Sequence, residues 1–300
     1  MQEFRNCDQF KSFMKKEAKR LNINISNVYS TFISRCFLQR ISKENTKEII
    51  IKGSSAEIAY LGRLVRAITD VDIATFKNFE VNKELLNKIM NNNDNDIFNF
   101  KLVKDISRTQ TGIYKISLEG NYEKISQPLG IDLQENYSRL IEPSVKIMPP
   151  IFEGDEPFEM YVPSFEEYLA EKLCIIVESN KQDVLNTRVK DFYDIYELHG
   201  GKYDSDKLTE YFKKMLRLRN KIRIENAETI NLNKDFINNH LDIWEKTKIK
   251  YDFLDKEIDL EGAVYYTRAV LREQLQKNGQ EMSDIIATQY EDKAYQKQQK

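Results

Sequence analysis

Apolar positions recur at helical spacing near the N-terminus, at alternating spacing through the middle, and at helical spacing again to the end. Phe10, Phe13, Met14, Ala18 and Leu21 lie on one side of residues 8–21 with lysines on the other, which predicts an amphipathic helix. Val28, Tyr29, Phe32, Ile33, Cys36 and Phe37 predict a second helix over 27–41. Ile49-Ile50-Ile51 is a β-branched run of the kind that makes a buried strand. Lys52-Gly53-Ser54-Ser55 interrupts it, and Ile58, Ala59, Leu61, Leu64 and Val65 then predict a helix over about 56–65. Ser54 or Ser55 is expected to cap that helix, with Glu57 near the capping-box position. Thr69-Asp70-Val71-Asp72-Ile73 alternates like a strand buried on one face.

The alternation continues further on. Residues 82–90 read as a helix, followed by a polar loop at 91–96. Residues 98–106 and 111–118 alternate and are joined by Arg-Thr-Gln, which predicts a hairpin, and Gly130-Ile131-Asp132-Leu133 predicts one more short strand. The stretch 143–163 holds five of the six prolines and reads as an extended connection. From Ser164 the pattern is helical. Ser164 is placed as a cap, and Glu166 and Glu167 fall in the first turn, where the helix dipole favours acids. Helices are expected over 165–178 and 187–198, then through 204–275, with Leu208, Tyr211, Phe212, Met215, Leu216 and Leu218 marking one and Phe236, Ile237, Leu241, Trp244 and Ile249 another. The expected architecture is α/β (α+β): a small mixed sheet preceded by two helices over 1–150, then a C-terminal helical bundle over 151–300, ending in a polar tail.

Composition narrows the function classes. The chain has 300 residues, 41% hydrophobic and 11% aromatic, enough for a substantial core. A net charge of −2 provides no global field that would draw it to nucleic acid, so any RNA contact needs a local basic patch. Lys213, Lys214, Arg217, Arg219, Lys221 and Arg223 form the best such run, with no acid between them. Cys7, Cys36 and Cys174 are odd in number and widely spaced, which reads as free thiols in a reducing cytoplasm. No stretch reaches the roughly 20 apolar residues of a membrane span, and no secretory signal is expected. With His199 and His240 the only histidines, neither a zinc site nor a Ser-His-Asp hydrolase is expected. The acidic loop at 91–96 lacks the glycine and terminal glutamate of an EF-hand.

The chemistry concentrates around residues 49–76. Alternation puts Asp70 and Asp72 on one strand face and Val71 and Ile73 in the core. Two adjacent carboxylates repel unless a cation sits between them, and hard oxygen ligands suit Mg²⁺ or Mn²⁺. A Gly-Ser turn at a helix start offers backbone N–H groups and a hydroxyl to phosphate oxygens. Together they make a place to hold a metal–nucleoside triphosphate.

Gly53-Ser54, a helix, then Asp70-x-Asp72 resembles the first motif of the DNA polymerase β-like nucleotidyltransferase superfamily. Within it, Lys52-Gly53-Ser54-Ser55 and Arg66-x-x-Thr69-Asp70-x-Asp72 resemble the AbiEii/AbiGii toxin family. Ser54 stands where that family often has a second glycine, and Ile68 where its hydroxyl residue is usual. Glu171-Lys172-Leu173 followed by Arg188-x-Lys190-Asp191-x-x-Asp194 resembles the family's second motif.

The resemblance implies a nucleotidyltransferase core. It makes Asp70, Asp72 and Asp132 metal ligands and catalytic carboxylates, and it adds Lys172 and Asp194 to the catalytic set. Gly53, Ser54, Ser55, Lys172, Arg188 and Asp191 become nucleotide-binding residues. It also implies NTP as substrate, the 3′ end of tRNA as acceptor, a toxin role in a type IV toxin–antitoxin or abortive-infection pair, and a winged-helix antitoxin as genetic partner. The acidic site does not distinguish that acceptor from a protein or small-molecule hydroxyl. A catalytically silent RNA- or protein-binding member of the fold is the reading from another class.

Overall fold

The computed structural model describes residues 4–44, 46–92, 97–110, 112–135, 143–179, 188–220 and 232–277, with side chains omitted at 217–220. The chain forms two compact units. One comprises Met1–Pro163 with Tyr251–Leu254, the other Ser164–Lys250 with Asp255–Lys300.

The first unit opens with helices α1 (Cys7–Leu21) and α2 (Ile25–Lys43). Asn6 caps α1 by accepting from the Gln9 N–H, and Asn24 caps α2 by accepting from the Ser26 N–H. Then follow β1 (Ile49–Ile51), α3 (Gly53–Leu61), β2 (Asp70–Thr75), α4 (Phe79–Asn91), β3 (Asn99–Leu102), β4 (Ser107–Arg108), β5 (Ile113–Tyr122) and β6 (Ile125–Gln134). The strands form one mixed sheet in the order β1-β2-β6-β5-β3, with β4 on β5. The β2–β6 pair is parallel, and every other pair in the sheet is antiparallel.

One face of the sheet is buried. It carries Val71, Ile73, Ile116, Leu118, Leu129, Ile131 and Leu133. An aromatic cluster joins α1 and α2 to Phe98, the residue just before β3, with ring centroids of Phe10–Phe98 at 6.0 Å and Phe32–Phe98 at 6.1 Å. Arg40 of α2 is buried, donates to the Met90 carbonyl at the end of α4 and to the Phe98 carbonyl, and lies 4.6 Å from the Phe100 ring centroid.

Three expectations change here. The expected hairpin is present as β3 and β4 on β5, but β5 is extended into a further hairpin with β6, closed by Glu123 in the left-handed region at φ 49°, and β6 is ten residues long rather than four. Pro128 hid it. That residue precedes the part of β6 paired with β2, so its missing N–H costs no β2 bond. The proline-rich 143–163 stretch is a second hairpin, β7 (Ser144–Met148) with β8 (Phe158–Val162). Its prolines lie just outside the strands, where no ladder N–H is needed. Finally, α3 begins at Gly53 and ends at Leu61 with Gly62 in the left-handed conformation, so Leu64 and Val65 are buried outside the helix.

The second unit is helical: α5 (Phe165–Ser179), α6 (Lys190–Glu197), α7 (Ser205–Asn220), α8 (Lys234–Tyr251) and α9 (Leu260–Gln276). Ser164 caps α5 as expected, its Oγ accepting from the Glu167 N–H at 3.1 Å. On α8 the buried positions are Phe236, Ile237, His240, Trp244 and Thr247. Leu241 and Ile249, expected inward, are 46% and 75% exposed because they lie off that stripe.

Candidate functional site

The site-forming part of the first unit starts from β1. Its triple isoleucine is buried and pairs with β2, and the ladder continues as the Lys52 N–H donates to the Asp72 carbonyl at 2.9 Å. The chain then turns sharply at Gly53, whose φ is +58°. A Cβ built on Gly53 would stand 1.9 Å from Asp72 Oδ2 and 2.8 Å from its Cγ. Only glycine fits, so the start of α3 lies against the Asp72 carboxylate. Ser54 and Ser55 do not cap the helix. Lys52 is the N-cap residue and makes no side-chain cap bond, while Ser54 and Ser55 lie buried inside the first turn. Ser55 Oγ is buried and has no hydrogen-bond partner. Glu57 is fully buried rather than reaching back along the surface. The Lys52 side chain thus leaves the helix start without a cap from the N-cap residue, and that start lies against the Asp72 carboxylate.

On β2 the burial alternates as the sequence implied. Asp70 and Asp72 are half-buried on the open face, while Val71 is 0% and Ile73 5% exposed. Thr69 Oγ1 donates to Asp70 Oδ1 at 3.2 Å. Arg66 is buried, its guanidinium 5.6 Å from the Tyr251 ring centroid, so it belongs to the packing of this unit.

The parallel ladder places Asp132 of β6 directly beside Asp72, and Gly130 beside Asp70. On its other side Asp132 faces Lys115 of β5 in register, and the two side chains form an ion pair. The open face thus carries a row across three strands: Asp72, Asp132, Lys115. Lys52 adds a second cation to this face, its Nζ donating to Gln134 Oε1 at 3.2 Å. Sequence reasoning missed Lys115; the alternation of β5 signalled its face, but the pairing with β6 was needed to bring it to Asp132.

The donor set of this face is all oxygen, which is what a hard divalent cation takes. Among the described residues, no three His, Cys, Asp or Glu side chains are gathered closely enough to hold a metal ion as they stand.

The second unit contains the other motif. Lys172 of α5 is 7% exposed, and Asp191 and Asp194 of α6 are fully buried. Lys172 Nζ donates to Asp191 Oδ1 at 2.8 Å and also to Asp194 Oδ2. Arg188 Nε donates to Asp191 Oδ2 at 2.7 Å and is partly exposed. The spacing Asp191-x-x-Asp194 puts both acids on one side of α6, and α5 supplies the lysine between them. Burial pushes the Asp191 carboxyl up, but Lys172 and Arg188, with a smaller effect of Lys190, outweigh burial and the repulsion of Asp194, and hold it below the usual range. Lys172 does not snorkel: its charge is held internally by two carboxylates.

Of the basic run, Lys213 and Lys214 lie on α7 with Lys214 exposed. The side chains of Arg217 and Arg219 are not described, and Lys221 and Arg223 lie outside the described residues, as does most of the 91–96 loop. The three cysteines are free thiols, and among the described residues no helix is long and apolar enough to cross a membrane.

Comparison with known proteins agrees with this architecture. Structurally, the chain is similar to MenT4, a nucleotidyltransferase toxin from Mycobacterium tuberculosis H37Rv, at TM-score 0.60 and 13% identity, covering 95% of this chain and 92% of that one. It is also similar to JHP933 from Helicobacter pylori, at TM-score 0.49 and 17% identity, covering 85% and 94%. No curated protein sequence matches. The sequence profile described as nucleotidyl transferase AbiEii toxin, type IV TA system, matches residues 37–284. The chain therefore belongs to the AbiEii family of nucleotidyltransferase toxins of type IV toxin–antitoxin systems.

Proposed function

We propose that this nucleotidyltransferase moves a nucleotide from an NTP to the 3′ end of tRNA, with a divalent cation, Mg²⁺ or Mn²⁺, held by Asp70, Asp72 and Asp132. One observation carries the reading: a side chain at Gly53 would collide with the Asp72 carboxylate. The helix start and the acidic row are therefore adjacent, as a triphosphate bridging them requires. The bound cation supplies neutralisation of the charge on the phosphates. Gly53, Ser54 and Ser55 cradle phosphate oxygens at the start of α3. The acceptor hydroxyl attacks the α-phosphorus, forming one P–O bond as the bond to pyrophosphate breaks, and its proton passes to a carboxylate of the row, for which Asp132 is the candidate.

In the helical unit, family resemblance gives Lys172, Arg188 and Asp191 a nucleotide-binding role and adds Lys172 and Asp194 to the catalytic set. The buried ion network supports a division of labour among them. Lys172 and Asp194 fix α6 on α5, and partly exposed Arg188 is the cation with access to an anion. Lys213 and Lys214, with the rest of the basic run, are the proposed RNA-backbone contact. The partner in the cell is a winged-helix antitoxin, and the free cysteines support a cytoplasmic location.

The test is transfer itself. Protein, Mg²⁺ and total tRNA are incubated with each of the four α-³²P-labelled NTPs beside an Asp72→Ala control. Label on tRNA with one nucleotide, lost in the control, is expected. Mg²⁺-dependent NTP binding without labelled RNA would replace tRNA by a protein or small-molecule acceptor.

A further inference from the structure

The acidic face holds a cation of its own. Asp72 and Asp132 lie side by side in a parallel ladder, where like charges are unfavourable. Lys115 stands on the far side of Asp132, in register on β5, and its ammonium is ion-paired to Asp132 Oδ2. Its side chain is 49% exposed and that of Asp132 21%. An exposed pair of this kind shifts an equilibrium by no more than about fivefold, so it orients the carboxylate without locking it.

We propose that Lys115 is a positioning residue of the acidic face, holding Asp132 as its resident counter-ion and releasing it when a divalent cation binds beside Asp72. The inference rests on the metal-dependent reading above and adds a residue that competes with the metal for one of its ligands. The competition is electrostatic. A divalent ion drawn to Asp132 displaces or repels the ammonium, so the lysine weakens metal binding while keeping the two carboxylates together in the ion's absence. Removing the charge should therefore tighten metal binding, and only as long as Asp132 can still ionise.

The experiment titrates Mn²⁺ into the full chain without nucleotide and follows the free ion by electron paramagnetic resonance. The wild type, Lys115→Met, Lys115→Arg, Asp132→Asn, the Lys115→Met/Asp132→Asn double variant and Asp72→Ala are compared. Expected is an Asp72-dependent site that Lys115→Met tightens about twofold to fivefold, that Lys115→Arg leaves near the wild-type affinity, and whose gain vanishes in the double variant. If Asp72-dependent binding is present but Lys115→Met leaves it unchanged or weaker, the role of Lys115 is overturned and the metal reading stands. A gain that persists in the double variant also overturns it, because the lysine then acts without Asp132. Absence of Asp72-dependent Mn²⁺ binding in every variant overturns both readings.

Discussion

Gly53 is the residue on which the acidic site depends most directly. Its φ of +58° disfavours any L side chain, and the space a Cβ would fill is already occupied by Asp72. Gly53→Ala is expected to destabilise the protein by about 1–3 kcal/mol and to reduce nucleotide transfer by about 100-fold, because either the helix start or the Asp72 carboxylate must shift from its place. Gly62 is the control. It has φ +67° but nothing within 4 Å of where a methyl would stand, so Gly62→Ala carries backbone strain alone and should keep full transfer activity. A melting curve and the labelling assay on both variants separate the two effects. The glycine and the acids were legible in the sequence as types and spacings. That they touch was not, since the turn and Asp72 are separated by a helix and meet only when β1 pairs with β2.

At the scale of elements, the α5–α6 pair is held by a buried lysine between two carboxylates. Such networks tolerate poorly the loss of one partner. Because Asp191 is held below its usual range, it binds its proton less readily folded than unfolded. Its contribution to stability is therefore complete above the unfolded value of about 4 and is lost as pH falls through the lower folded value. Urea midpoints followed from pH 7 to pH 2 should fall below about pH 4, and the fall should be smaller in Asp191→Asn. Equal falls in both proteins would show that other carboxylates govern the acid limb. Periodicity identified both helices. It left open whether Lys190, Asp191 and Asp194 form a solvated face or a buried one, because three-residue spacing is the same in either case.

For the whole molecule, chain order and compact unit differ. Residues 251–254 are the end of α8 and the three residues after it, yet they belong to the first unit, where Ala67 N–H donates to the Tyr251 carbonyl, Leu254 N–H to the Val65 carbonyl, and Asp252 accepts from Asn24 N–H and Asn27 Nδ2. Phe253 is 1% exposed there. Phe253→Ala is expected to cost about 3–5 kcal/mol, measured as a lowered urea midpoint with the labelling activity of the residual folded protein retained. Nothing local distinguishes Tyr251–Leu254 from a helix end, so this return was invisible until the core that receives Phe253 was in view. By itself, the sequence determined the two-helix entry, the Gly-Ser turn, the alternation that sends Asp70 and Asp72 to one face, and the helical character of the last part. Those follow from local periodicity and backbone preference. Only the tertiary structure decided that β6 lies beside β2, that Asp132 stands between Asp72 and Lys115, and that Lys172 is shared by Asp191 and Asp194. Each is a contact between segments distant in sequence, set by strand register and helix packing rather than by the residues next door.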